Sequence, residues 1–505
     1  MTSRTLAAVL AAAALSTGCA TTRFTCPARG GTPWREVRTQ TLVVRTDLGP
    51  SEAASIAQEL ERLHEAIRRA FFRNPPPVQE PLHVTAFRNR AEFEPFAPPM
   101  AAAYYFMNSD APIVVLHGPI DLRTRETLAH ELTHHVLAQV FRRQPLWFAE
   151  GMAVYMESIA SRGAFLWTED PTIGGRPRAA SSVTSSAARV RQVLTATRSL
   201  NTAEYAVAWA IVHYISNHEK AGFAELQRRF AAAEDPAAAW RATFPRWDPA
   251  SDDGMKDLDR RLRAYMQGGT YQYRRVALPA FGGVEERPLT PPEVHGIRLE
   301  LPRYPRLVDR SLEKSLVAFK AEVLAETDEA LAEDPAQLTA LVTRAAFAPA
   351  EIGDLARRAT AAHPHDPRAW RLAAVAMPAD DHAGRVATLR RALEERPQDT
   401  ATLVALAKEL VGAARPEEAL ELVTTAATRA PASPWPPHVR ASALLALGRC
   451  PDALAAQRHA AEIASGRLEE PWAEPISRQL AELEQRCGSP PAPAGTAAPG
   501  PGASP

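Results

Sequence analysis

Five consecutive residues, His130-Glu131-Leu132-Thr133-His134, carry the clearest chemical signal in this chain. On a helix, positions i and i+4 lie one turn apart on the same face. Two imidazoles placed that way can grip one Zn2+ at about 2.0–2.1 Å each. Glu131 stands beside the first histidine, where a carboxylate reaches water at such a metal and serves as general base. A further donor follows a short turn containing Pro145. Glu150 sits in the otherwise apolar run Pro-Leu-Trp-Phe-Ala-Glu-Gly-Met-Ala-Val-Tyr155. A buried carboxylate without a partner is costly, and a metal ion is the natural partner here. Two histidines, one glutamate and water in the fourth place form a known catalytic zinc arrangement. The expected cofactor is therefore Zn2+, with His130, His134 and Glu150 as its ligands and Glu131 as the catalytic base.

Other residues are candidates for supporting roles. Tyr205, Trp209 and His213 recur every fourth residue and form one helix stripe. Tyr205 and His213 are candidate catalytic donors to an oxyanion. The competing reading makes them packed, hydrogen-bonded residues below the site. His135 lies about 100° round the helix from His134, which makes it a solvent-facing or supporting histidine rather than a ligand. Glu126 and Glu157 are candidate acceptors for the second N–H of a ligand histidine. Tyr104 and Tyr105 read as core or as a substrate edge. The pairs Arg142-Arg143 and Arg260-Arg261 read as solvated helix faces.

His-Glu-Leu-Thr-His followed by Pro-Leu-Trp-Phe-Ala-Glu-Gly-Met-Ala-Val-Tyr resembles the peptidase MA-like gluzincins. The resemblance extends over about residues 40–265. Ala103-Tyr-Tyr-Phe to Ile-Val-Val-Leu116 is similar to the strand before the family's zinc helix, and Glu204 to Ile215 to the helix packed beneath the site. It implies that Glu150 is the third zinc ligand. It also implies a zinc-dependent metallopeptidase, endopeptidase or aminopeptidase-like, acting on a peptide or protein substrate. Where some gluzincins place an Asp four residues after the ligand Glu, this chain has Val154.

The elements that must hold these residues are legible in part. Thr41–Thr46, Leu82–Phe87 and Ala111–Leu116 read as strands from their β-branched content. Ser51 is the expected cap of a helix whose face is Ile56, Leu60, Leu63, Ile67 and Phe71. Helices are expected from Thr124 to about Phe141 and from Trp147 to Ile159, with a Ser-, Gly- and Pro-rich loop between Trp167 and Arg189. Asn201 with Glu204 is a capping pair opening another helix.

In the C-terminal third, Pro364, Pro397 and Pro431 stand 33 and 34 residues apart, and Ala419 and Ala453 stand 34 apart. That period resembles tetratricopeptide repeats over about residues 332–470. Such repeats imply a protein partner held on stacked helix pairs. The expected fold is α+β: a zincin-like metallopeptidase domain with a small sheet on its active-site helices, then an all-α repeat domain. The expected boundaries are a lipoprotein signal over 1–19, a tether over 20–38, the metallopeptidase domain over 39–267, a Pro/Gly-rich linker over 268–310, repeats over 311–487 and a disordered tail over 488–505.

The ends and the composition narrow the setting. Arg4, the apolar run to Leu15, and Leu15-Ser16-Thr17-Gly18-Cys19 resemble a bacterial lipoprotein signal, implying a lipid on Cys19 and outer-membrane anchoring that faces the periplasm. Cys450 and Cys487 are a plausible disulfide pair in such a compartment, with Cys26 left over. Lys plus Arg equals Asp plus Glu at 58 each, a balance that argues against a nucleic-acid partner. Three functions compete. One is a zinc-dependent peptidase. Another is a catalytically silent, zinc-containing scaffold or binding lipoprotein acting through its helical repeats. The third is a metallohydrolase acting on another amide, such as a cell-wall peptide.

Overall fold

The computed structural model describes residues 25–72, 74–75, 78, 81–98, 101–107, 112–159, 170–175, 185–268, 271–303, 312–464 and 473–487. Cys19, the signal segment, most of the loop between Trp167 and Arg189, and the tail from 488 lie outside the described residues. Two compact units emerge. One comprises residues up to 131 with 278–351; the other comprises 132–277 with 352 onward.

The first unit opens with β1 (Arg35–Arg38), β2 (Leu42–Thr46), α1 (Pro50–Phe71), β3 (Leu82–Phe87), the one-turn α2 (Arg90–Phe93), β4 (Ala103–Met107), β5 (Pro112–His117) and the start of α3 (Leu122–Val140). The expected cap at Ser51 is displaced. The N-cap is Gly49, and Pro50 takes the first helical position, where its missing N–H costs nothing. Ala53, Ala57, Leu60, Leu63 and Ile67 of α1 are buried against the sheet. Each large apolar side chain buried this way stabilises the fold by about 1.5–3 kcal/mol. At the start of α3 the backbone N–H of Thr124 donates to the Asp121 carboxylate at 2.8 Å.

The second unit continues with α4 (Leu146–Glu157), β6 (Thr172–Ile173), α5 (Ala187–Leu194), α6 (Thr202–His218), α7 (Lys220–Ala231), α8 (Pro236–Thr243), α9 (Asp252–Gly268) and β7 (Arg274–Arg275), which pairs antiparallel with β6. The capping box at α6 forms as expected, with the Asn201 side chain accepting from the Glu204 N–H and the Glu204 carboxylate accepting from the Asn201 N–H. Behind α4 lies an aromatic cluster in which Trp147 meets Trp240 and Phe148 meets Phe230 edge to face.

The chain then returns to the first unit with β8 (Glu285–Pro288), α10 (Pro291–Glu300), α11 (Leu312–Glu333) and α12 (Leu338–Phe347). Its strands form one mixed sheet in the order β4-β5-β3-β2-β1-β8. β2, β3 and β5 are parallel and interior; β4, β1 and β8 join antiparallel. Interior parallel strands are covered on both faces, which is why they read as the β-branched runs seen in the sequence. One face carries Trp34, Phe87, Phe93, Phe96, Tyr104 and Phe106, closed over by Val294 and Ile297 of α10. Residues 268–310, expected as a linker, thus hold β7, β8 and α10. Their Pro and Gly content concealed a four-residue charged edge strand and a helix that begins on two prolines.

The rest of the second unit is helical: α13 (Ile352–Ala362), α14 (Pro367–Ala376), α15 (His382–Glu395), α16 (Thr400–Gly412), α17 (Pro416–Arg429), α18 (Trp435–Ala446), α19 (Cys450–Ile463) and α20 (Glu474–Cys487). Each packs on the next, and α14, α16 and α18 also touch one another in sequence. That is the stacking of a helical repeat. Its period is written in small buried residues: Ala359, Ala392, Ala426 and Ala460 are all 0% exposed. The same turn recurs with left-handed backbone at Ala414 (φ 58°) and Gly448 (φ 73°). Cys450 and Cys487 form a disulfide across α19 and α20, with Cα atoms 5.5 Å apart. Arg143, expected on a solvated face, instead grips Glu462 of α19 through two contacts of 2.7 and 2.6 Å. Among the described residues no helix is long and apolar enough to cross a membrane.

Candidate metal centre

His130 and His134 occupy successive turns of α3, and Glu150 opens the second turn of α4. The two helices are consecutive, joined by the short turn at Pro145, so the chain itself brings the three donors to one place. One ligand atom from each lies within 4.8 Å of the others. His134 Nε2 and Glu150 Oε2 are 3.5 Å apart, and both side chains are largely buried. Ligand atoms at the corners of a tetrahedron about zinc sit roughly 3.3–3.7 Å from each other, given bonds of about 2.0–2.3 Å. The donor set and its spacing therefore fit a zinc ion.

Gly151, next to Glu150, explains how α4 is set so deep. A Cβ there would meet the Ala208 carbonyl oxygen of α6 at 2.6 Å, so only glycine lets the two helices approach. Glu131, on the turn that carries His130, accepts the backbone N–H of Tyr105 at 2.9 Å. This hydrogen bond fixes the direction of the carboxylate. Burial, and then the Glu131 charge, push the Tyr105 phenol above its ordinary value. This tie was not legible in the sequence, because a backbone donor on a neighbouring strand leaves no side-chain signature. Tyr104 belongs to the core and donates its hydroxyl to the Phe96 carbonyl.

The supporting candidates divide. His213 is fully buried, and both of its ring nitrogens are engaged. Nε2 lies 2.9 Å from the Gly174 carbonyl, which only accepts, so the proton is on Nε2. Nδ1 then accepts from the Tyr265 hydroxyl at 2.6 Å and the Asn217 amide at 3.1 Å. Burial pulls its pKa down to about 4, keeping it neutral. With that N–H committed to Gly174, His213 has no donor to offer an oxyanion, and its catalytic role is replaced by a packing one. Tyr205 is half-buried on the same helix. His135 is buried rather than solvent-facing, with Nε2 2.8 Å from the Gln139 side-chain nitrogen. Glu126 and Glu157 are both buried.

No protein-family model matches the chain, and no curated protein matches it. Among solved structures, similar chains include a thermophilic TPR protein of Thermus thermophilus. It is 16% identical with a TM-score of 0.29, covering 34% of this chain and 95% of that one. Another is yeast Tom70, 13% identical with a TM-score of 0.29, covering 74% of this chain and 76% of that one. These findings correct the expectation of a peptidase MA-like gluzincin. One of the two is named as a TPR protein, neither is named as a peptidase, and no family model matches, so the gluzincin, metallopeptidase and HExxH-family assignments are not carried further. The physical reason is that two histidines one turn apart and a nearby glutamate are a local arrangement, which any helix pair can carry. The helical repeats, read from their period, stand.

Proposed function

We propose that this chain is a zinc-containing scaffold, lipid-anchored through Cys19, that binds a protein partner on its helical repeats. The observation that carries the reading is the ordered stacking of α13 to α20, an architecture whose use is to present a long surface to another chain. Within it, a cavity of about 400 Å³ is lined by Lys408, His438, Arg478, Gln479, Glu482 and Arg486. Three of these are cations and one is an acid. Burial, followed by the charges of Lys408 and Arg478, holds the His438 pKa below its ordinary value. A positive, partly enclosed groove fits an acidic segment of a partner. The test is binding of acidic peptides to the full chain beside a Lys408→Glu, Arg478→Glu double variant. Expected is binding that weakens with salt and falls at least tenfold in the variant. Binding that the charge reversals leave untouched would remove the groove from the reading.

A second reading, zinc-dependent hydrolysis, is favoured by one observation: Glu131 stands beside the ligand set with its carboxylate oriented by Tyr105 N–H. Zinc held by His130, His134 and Glu150 supplies a Lewis acid and lowers the pKa of water at an open position. Glu131 would be the residue beside such an ion able to accept a proton and return it to a leaving group. Glu131→Gln keeps the shape and removes the base. Expected is unchanged zinc content with hydrolysis of an amide substrate reduced by about 100-fold or more. Equal hydrolysis in parent and variant would sink the enzyme reading and leave the scaffold reading intact.

A further inference from the structure

We infer that Cys26, His295 and Glu333 form a second zinc site, built of one thiol, one imidazole and one carboxylate and independent of the His130 centre. Their ligand atoms all lie within 4.8 Å of one another. Cys26 Sγ is 3.1 Å from Glu333 Oε1, and His295 Nε2 is 4.0 Å from Glu333 Oε2. These separations bracket the roughly 3.3–3.7 Å edges of a tetrahedral zinc shell, so an ion enters with little movement. Cys26 and His295 are 0% exposed, while Glu333 opens to solvent and gives an ion its way in.

The surroundings are those of a metal ligand. His295 Nδ1 lies 3.3 Å from Glu326 Oε1 and donates to it. With Nδ1 facing Glu326, the other ring nitrogen, Nε2, is on the side of Cys26 and Glu333. A carboxylate behind the ring is the usual second partner of a zinc-bound histidine, fixing tautomer and direction. Glu326 is itself held by Arg298 at 2.8 Å and by Arg303. Those two cations keep its carboxyl below the usual carboxylate range despite burial. On the other side, Cys26 is fixed in a tight turn. The N–H groups of Arg29 and Gly31 both donate to its carbonyl, at 2.8 and 3.1 Å. A Cβ on Gly31 would stand 1.8 Å from the Thr25 carbonyl oxygen, so the turn admits only glycine. Arg29 pairs with Glu329, one turn before Glu333 on α11. Thiolate, imidazole and carboxylate together suit a borderline-soft divalent ion, zinc before magnesium or calcium. An ion there fastens the turn at Cys26 to α10 and α11.

The test loads the full chain with cobalt(II) in place of zinc and records the near-ultraviolet thiolate-to-metal charge-transfer band. The His130 centre offers only nitrogen and oxygen, so it does not produce that band. Expected is a band in the parent that is lost in Cys26→Ser, with Cys19 present in both. Zinc analysis should give two ions in the parent, one in Cys26→Ser, one in Glu150→Ala and none in the double variant. Should Cys26→Ser fail to fold, Glu333→Gln decides, because its solvent-open carboxylate can be neutralised without opening the core. It should weaken loading of the sulfur-bearing site at least tenfold. A parent with no such band, or a band and zinc content unchanged by these substitutions, overturns the site whatever happens at His130.

Discussion

His213 shows what a single buried ring costs and gives. In the unfolded chain it titrates near 6.5; in the fold burial lowers it to about 4. Its neutral form is wedged between Gly174, Tyr265 and Asn217, with the rings of Tyr155 and Tyr271 against it. A base with a depressed folded pKa contributes stability that is whole above the unfolded value and is lost as pH falls toward the folded one. Between pH 7 and pH 5 the loss is roughly 2 kcal/mol. Urea unfolding at the two pH values should show that drop in the parent, and His213→Gln should flatten it even while lowering stability at pH 7. The spacing of Tyr205, Trp209 and His213 in the sequence marks a shared helix face, yet it does not say whether that face meets a substrate or a core. The difference lies in the Gly174 carbonyl, 39 residues away. Cys26 is a parallel case. Its partners His295 and Glu333 stand hundreds of residues later, so no local spacing announces them, whereas His130, His134 and Glu150 sit on two consecutive helices and are legible at once.

Elements were legible where one physical rule dominates. The interior strands β2, β3 and β5 declare themselves through continuous β-branched runs, and α6 through its capping box. β1 and β8 do not, because Arg35–Arg38 and Glu285–Pro288 are short and charged. The repeat turns carry a difference that can be tested. Gly448 adopts φ 73° with no Cβ to object, while Ala414, in the matching turn one repeat earlier, adopts φ 58°. A non-glycine residue in left-handed backbone costs about 1 kcal/mol or more, partly offset by the flexibility glycine adds to the unfolded chain. Ala414→Gly should raise the stability of the full chain by about 0.5–1 kcal/mol, and Gly448→Ala should lower it by about 1 kcal/mol. Equilibrium denaturation of both variants checks the pair, and equal effects of the same sign would refute the assignment.

At the scale of the molecule, the period in Pro364, Pro397 and Pro431 predicts the repeats, while the return of β8 and α10 to the first unit is invisible without three-dimensional pairing. The second unit depends on a residue that reads as ordinary surface. Arg143 holds Glu462 with two nitrogens and also reaches Asp235 at 3.0 Å, with only 17% of its side chain exposed. It ties the segment before α4 to α19. Both acids are more than a third exposed, so water takes over part of the pairing and losing Arg143 costs about 1 kcal/mol. Arg143→Met should therefore broaden or split the thermal unfolding transition; a transition of unchanged shape and midpoint would mean the tie is idle.

The mixed sheet has two edges, and each is guarded differently. β8 presents Glu285, Glu286, Arg287 and Pro288, all exposed, and a charged strand ending in proline is a poor template for another strand. β4 is longer and more apolar, with β5 on one side. Its Tyr105 N–H, turned away from β5, is occupied by Glu131. The Glu131 carboxylate thus caps one of the edge donors that a further strand would have to use.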